Sequence, residues 1–224
     1  DSELGEAIAE TKAFLSEEPS SPKPSSPKDA ETQPLSHDEK EDLRVEADEL
    51  LEKGNLEEAE AFYDEAMELY QQASAVYQRI GERKGLVEVL QKMADVFQYQ
   101  GKYQDALELL EDALQIAEDN GFNSMKAHLY WSLGIVYESK SNYKKALELC
   151  QKGLEINKVL NDRFLECGLL GSVGTVFKHL GQSEDALKSF EEGLRIAREV
   201  GDRRSEGNHL GAIGTVFKDA SHYP

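Results

Sequence analysis

Apolar positions in this chain recur at helical spacing, and the pattern repeats at a fixed length. Leu129, Leu133, Val136 and Tyr137 lie three or four residues apart and form one stripe. A small residue sits inside each such stripe at Ala94, Gly134, Gly174 and Gly214, a step of 40. The same step separates tight-turn positions Gly101, Ser141, Gly181 and Ser221. It also separates Ala106, Ala146 and Ala186 in the following stripe, with a second small residue at Ala113, Gly153 and Gly193. Closing loops start at Gly81, Gly121, Asn161 and Gly201. A fixed period of this size means a stack of supersecondary units. The spacing predicts helices near 83–100, 103–119, 123–140, 143–159, 163–180, 183–199 and 203–220, paired as hairpins.

Upstream the pattern is less regular. Ser36 or Asp38 can cap a helix running to about Lys53, with Leu43, Ala47, Leu50 and Leu51 on one face. Gly54-Asn55 is expected to break it, and a long helix to follow from Leu56 to about Arg79. Gly54 to Gly101 spans 47 residues, so this first hairpin is expected to carry an extra heptad. Two readings fit: a tolerated insertion, or a protruding apolar rib that meets a partner. Residues 17–36 hold five of the six prolines and read as a linker with no core of its own. Ser21 and Ser26 each precede a proline; they fit proline-directed phosphorylation or an unmodified spacer. Residues 1–16 carry Leu4, Ile8 and Leu15 near one helical face. They read as a frayed segment, or as a helix left from an upstream unit or docking on the repeats. The first residue is Asp1 rather than Met, so the chain is expected to be a fragment or a processed product.

A glycine inside a helix costs about 1 kcal/mol against alanine. Its recurrence here implies close approach of two backbones, with Ala146 and Gly153 as matching small residues on the paired helix and Tyr137, Tyr143 and Leu147 filling the remaining volume. Gly168, Gly171 and Gly174 follow no strand, so packing explains them better than a phosphate loop. Past Lys218 the chain runs out where a covering helix should begin, so Leu210, Ile213, Val216 and Phe217 are expected to stay bare.

Tyr130, Leu133, Gly134 and Tyr137, then Tyr143 and Ala146, then Gly153-Leu154, resemble the tetratricopeptide repeat. The unit length and the Gly201-Asp202-Arg203 link resemble the longer subtype of the Pins/LGN polarity adaptors. The resemblance implies an all-α, right-handed solenoid of antiparallel helix pairs, about four and a half repeats over 37–80, 81–120, 121–160, 161–200 and a partial 201–224. It also implies a cytoplasmic scaffold that holds extended peptides in a concave groove. That subtype commonly carries Asn after the glycine of the first helix, to bind the partner's backbone. Asp95, Ile135, Thr175 and Thr215 stand there in this chain. The basic two-carboxylate clamp of chaperone adaptors is absent too.

The first helix of each pair lines the groove in such folds. The repeat frame then places Glu88, Gln91, Asp95 and Gln98 on the inner face. From later units it adds His128, Trp131, Ile135 and Glu138; Gly171, Thr175, Lys178 and His179; and Asn208, Thr215 and Lys218. Trp131 is the strongest contact candidate, because tryptophan dominates binding hot spots; packing between repeats is the alternative. His128 and His179 read as surface residues rather than metal ligands, with no carboxylate or cysteine on their face at ligand spacing.

The formal net charge of −19 argues against nucleic acid or anionic lipid as the main partner. No apolar run is long enough to span a bilayer. Cys150 and Cys167 form no metal-spaced set and read as buried thiols. Residues 38–119 carry 23 acids and 8 bases, a net −15; residues 163–224 carry 9 and 8, a net −1. This asymmetry fits a bound peptide with its basic end toward the first repeats, or simply a solvated acidic surface. No catalytic motif, cofactor motif or metal motif is present. The chain is expected to be a non-enzymatic scaffold that recruits a protein segment. The alternatives are a regulatory sensor domain of a larger enzyme or signalling protein, or a module that self-associates through its bare last helix or its long second helix.

Overall fold

The computed structural model describes residues 35–221. The readings made for residues 1–16, for Ser21 and Ser26, and for most of 17–36 lie outside that range. The described residues are all helical with intervening turns, and they contain no strand. They belong to two compact units, one ending at Glu82 and one starting at Arg83.

The first unit holds α1 (His37–Ala59) and α2 (Tyr63–Ile80). Ser36 caps α1: its hydroxyl accepts from the Glu39 amide, and the Glu39 carboxylate accepts from the Ser36 amide. Contrary to expectation, α1 runs through Gly54 and turns only after Ala59. Gly54 is buried, and a methyl group there would meet the Tyr70 ring at 2.5 Å. It is therefore the close-approach glycine of its pair, in step with Ala94, Gly134 and Gly174. The turn falls at Ala61, in the left-handed region with φ 65°. No heptad is inserted and there is no protruding rib. The turn escaped detection because alanine occupies a site where glycine or asparagine usually signals it. The Tyr70 hydroxyl lies within hydrogen-bond distance of the side-chain oxygens of Asn55 and Glu58, which share its one proton, and Tyr77 donates to Asp48, which ties α2 to α1.

The second unit holds α3 (Arg83–Tyr99), α4 (Tyr103–Asp119), α5 (Asn123–Ser139), α6 (Tyr143–Leu160), α7 (Arg163–His179), α8 (Ser183–Val200) and α9 (Arg203–Ser221). These bounds match the periodicity to within about a residue. Left-handed residues recur every 20 positions, at Gly101, Gly121, Ser141, Asn161, Gly181 and Gly201. At the first, the Gly101 and Lys102 amides donate to the carbonyls of Gln98 and Phe97, which closes the end of α3. Ser221, expected to turn, is still helical.

Helices pack pairwise as α3 on α4, α5 on α6 and α7 on α8, and α9 lies on α8. The first helices α3, α5, α7 and α9 also touch one another in sequence. The second helices α4, α6 and α8 make no comparable mutual contact. The first helices therefore form the tighter layer. Small residues allow the approach: a methyl group on Gly134 would lie 2.7 Å from the Cys150 sulfur, and one on Gly174 would lie 2.6 Å from Phe190. Gly214 differs, because nothing lies within 4 Å of a methyl group built there. Leu210 and Phe217 are exposed as expected. Val216 and Ile213 are not, because Val216 is buried on Ala186 and Phe190 of α8 and Ile213 packs partly buried against the same cluster.

Candidate functional site

Neighbouring first helices of the second unit are joined by side-chain bonds about one repeat apart. Gln91 of α3 donates to Ser132 of α5 at 3.0 Å. The Trp131 indole of α5 donates to Ser172 of α7 at 2.9 Å. The Trp131 ring lies over Gly168, where an added methyl group would come within 2.4 Å of it. Between α7 and α9 the bond at these positions is missing, and Cys167 and His209 meet instead. Gly171 takes the place of Gln91 and Trp131, and Ala212 takes the place of Ser132 and Ser172.

A cavity of about 710 Å³ opens across this face. Its lining includes Tyr99 of α3, Ile135 and Glu138 of α5, Phe164 and Thr175 of α7, and Arg204 and Asn208 of α9. Tyr99 and Phe164 are both more than half exposed. Of the residues expected on the inner face, His128, Trp131, Ile135, Glu138, Gly171, Thr175 and Asn208 line the cavity. Glu88, Gln91, Asp95, Gln98, Lys178, His179, Thr215 and Lys218 lie on the same helices outside its lining. Gln91 is engaged with Ser132, and the Thr215 hydroxyl donates to the Ala212 carbonyl.

Two histidines have carboxylate neighbours that sequence spacing along one helix did not reveal. His179 lies 3.5 Å from Glu138 and stacks on Tyr143; His128 lies 4.0 Å from Asp162. These pairs cross from one repeat to the next, an offset that inspection within one helix misses. Burial raises the Glu138 carboxyl above the usual range, while His179 and Lys178 draw it partly back. Among the described residues no three metal-ligating side chains converge.

His209 was missed altogether. It is 5 % exposed, wedged between Gly171 and Gly193, with its Nε2 3.3 Å from the Cys167 sulfur. The Cys167 thiol donates to the Gly193 carbonyl. Burial raises the Cys167 thiol and lowers the His209 imidazole, so the pair stays neutral rather than forming thiolate and imidazolium. Cys150 is pushed up to about 12 by burial, reinforced by the Glu138 charge. The paired signal for His209 was its 42-residue distance from Cys167, close to one repeat.

A tetratricopeptide repeat profile matches residues 46–119, 87–158 and 125–199, which together cover more than half of the sequence. The chain belongs to the tetratricopeptide repeat family. Solved structures share the fold. BtubC (BKLC) from P. vanneervenii matches with a TM-score of 0.71 at 17% identity, over 99% of this chain and 85% of that one. A Rap protein complexed with Competence and Sporulation Factor matches at 0.69 and 18%, over 84% of this chain and 55% of its own. A putative kinesin light chain from Podosopora anserina with nearly identical TPR-like repeats matches at 0.63 and 16%, over 80% and 89%. At such identities the likeness is one of fold, and this repeat protein spans only about half of the Rap chain. A search of curated protein sequences finds no significant match. Among the described residues, no helix of the repeats is long and apolar enough to cross a membrane.

Proposed function

We propose that this tetratricopeptide repeat chain is a non-enzymatic interaction module of the cytoplasm, a scaffold or adaptor that holds an extended partner segment. The segment lies along the face of α3, α5, α7 and α9. The cavity of about 710 Å³ on that face carries the reading. It combines apolar floor residues with a few polar groups, the usual makeup of a recognition site. The Rap protein of the same fold, solved with Competence and Sporulation Factor, lends support.

Within the second unit the face runs from Glu88 and Asp95 of α3 to Lys178 of α7 and Lys218 of α9. A partner segment therefore lies with its basic end toward α3 and its acidic end toward α9, and charge sets its orientation and on-rate. The Pins/LGN-like subtype is part of the proposal with one change. Asn55 stands after Gly54 as in that subtype, but its side chain accepts from Tyr70. In the second unit Asp95, Ile135, Thr175 and Thr215 replace the asparagine.

Pull-down with the wild type against a Trp131→Ala, Lys178→Glu double variant tests the reading. A partner captured equally by both proteins sinks it. Self-association is a second reading, favoured by the exposed Leu210 and Phe217 of α9. Sedimentation at two concentrations decides it: a strict monomer removes that alternative.

A further inference from the structure

The cavity reaches a place where one position of the repeat lattice carries no side chain. In α5 that position is Trp131, whose ring covers Gly168 and bonds Ser172. One repeat later it is Gly171, which carries no side chain: a methyl group there would come within 3.3 Å of the His209 ring on one side, and Asn208 and Ala212 line the cavity with it. Between α7 and α9 no ring of the chain's own lies over these positions as Trp131 does between α5 and α7, and the cavity reaches in beside the His209 wall. Phe164 stands exposed in the lining.

Two further observations point to an occupant. His209 forms part of the wall and is more than nine-tenths buried. Its Nε2 lies 3.3 Å from the Cys167 sulfur, whose own proton goes to Gly193; the matching tautomer carries the imidazole proton on Nε2 and leaves Nδ1 as an acceptor. Asn208 is exposed beside it. The charges at the two ends differ in sign. Glu138, half-buried, lies in the last turn of α5, and Arg204 lies in the first turn of α9. Arg163, Arg195, Arg198 and Arg203 are all ion-paired, whereas Arg204 makes no ion pair among the described residues. Nearby Asp202 is occupied in accepting the Arg204 and Ser205 amides.

Resting on the functional reading above, we infer that the partner segment places an aromatic side chain bearing an N–H or O–H donor in the niche at Gly171, with a basic residue toward Glu138 and an acidic residue toward Arg204. Two interhelix spacings and about fourteen residues of helical rise separate Glu138 from Arg204 diagonally, roughly 28 Å. That is the reach of about eight or nine extended residues.

The test uses the full chain and a dye-labelled library of nine-residue peptides, read by anisotropy. The wild type selects tryptophan or tyrosine near the centre, lysine or arginine at one end and aspartate or glutamate at the other. Alanine in place of the central ring weakens binding about tenfold or more. Gly171→Trp, which fills the niche from the chain's own backbone, abolishes the central preference and keeps the terminal ones. Ala212→Trp serves the same purpose if Gly171→Trp fails to fold by circular dichroism. Glu138→Lys combined with Arg204→Glu inverts the preferred charge order. Peptide binding with no central aromatic preference, with phenylalanine above tryptophan and tyrosine, or with that preference intact in the filled variants overturns this inference alone. Absence of any selected peptide overturns the functional reading and this inference with it.

Discussion

Glycine at the same repeat position has opposite consequences in different helices. At Gly134 an added methyl group meets the Cys150 sulfur at 2.7 Å, and overpacking of that kind costs about 1–3 kcal/mol. At Gly214 the space is open, so alanine brings only its better helix propensity, about 1 kcal/mol. Gly134→Ala is therefore expected to lower the urea midpoint and Gly214→Ala to raise it. Adding Cys150→Ala to Gly134→Ala restores much of the loss, the coupling expected of touching groups. His209 sets a pH window. Burial lowers its imidazole below the ordinary value of 6.5, against smaller opposing effects from Cys167 and Asp202. The fold favours the neutral ring, so its contribution is in place above that value and is lost as pH falls through the lower folded-state value. Denaturation midpoints at about pH 7.5 and 5.5 should differ less in His209→Gln than in the wild type, in proportion to this linkage. An unchanged difference would place the acid sensitivity elsewhere.

At the level of helices, the turn between α1 and α2 is strained by Ala61 at φ 65°. A left-handed non-glycine residue costs roughly 1 kcal/mol or slightly more, so Ala61→Gly is expected to raise the thermal midpoint by a few degrees. No rise would mean that the neighbouring helices absorb the strain. The α5–α7 contact depends on both the ring and the indole N–H of Trp131. Trp131→Phe keeps a ring over Gly168 and leaves the Ser172 hydroxyl without its donor. A loss of about 1 kcal/mol in chemical denaturation is expected, largely absent when Ser172→Ala is introduced as well. Equal losses in both backgrounds would show that the hydrogen bond contributes nothing.

Over the whole molecule the charge of −19 acts as self-repulsion. Most ion pairs along the helices are exposed and three or four residues apart, as in Lys158 with Glu155, and such pairs contribute little. Moderate salt, about 0.15 M against about 0.01 M, should therefore raise the thermal midpoint by screening the net charge. A falling midpoint would show that local ion pairs outweigh the repulsion.

The fold was legible because each helix pair is a local object, built from an apolar stripe, a small residue at the crossing and a left-handed turn. That pattern placed α3 to α9 within a residue or so, and seven of the inner-face positions line the cavity. It failed at Ala61, where an alanine rather than a turn-forming residue takes the left-handed conformation. It also failed at His209, Ser172 and the Glu138–His179 pair. Their partners lie about one repeat away on another helix, and periodicity aligns equivalent positions without saying which non-equivalent ones touch. Local chemistry along the chain thus decided which segments are helices and where they turn. Tertiary packing decided which side chains meet across them, and so where the face is filled by its own Trp131 and where, at Gly171, it is left open.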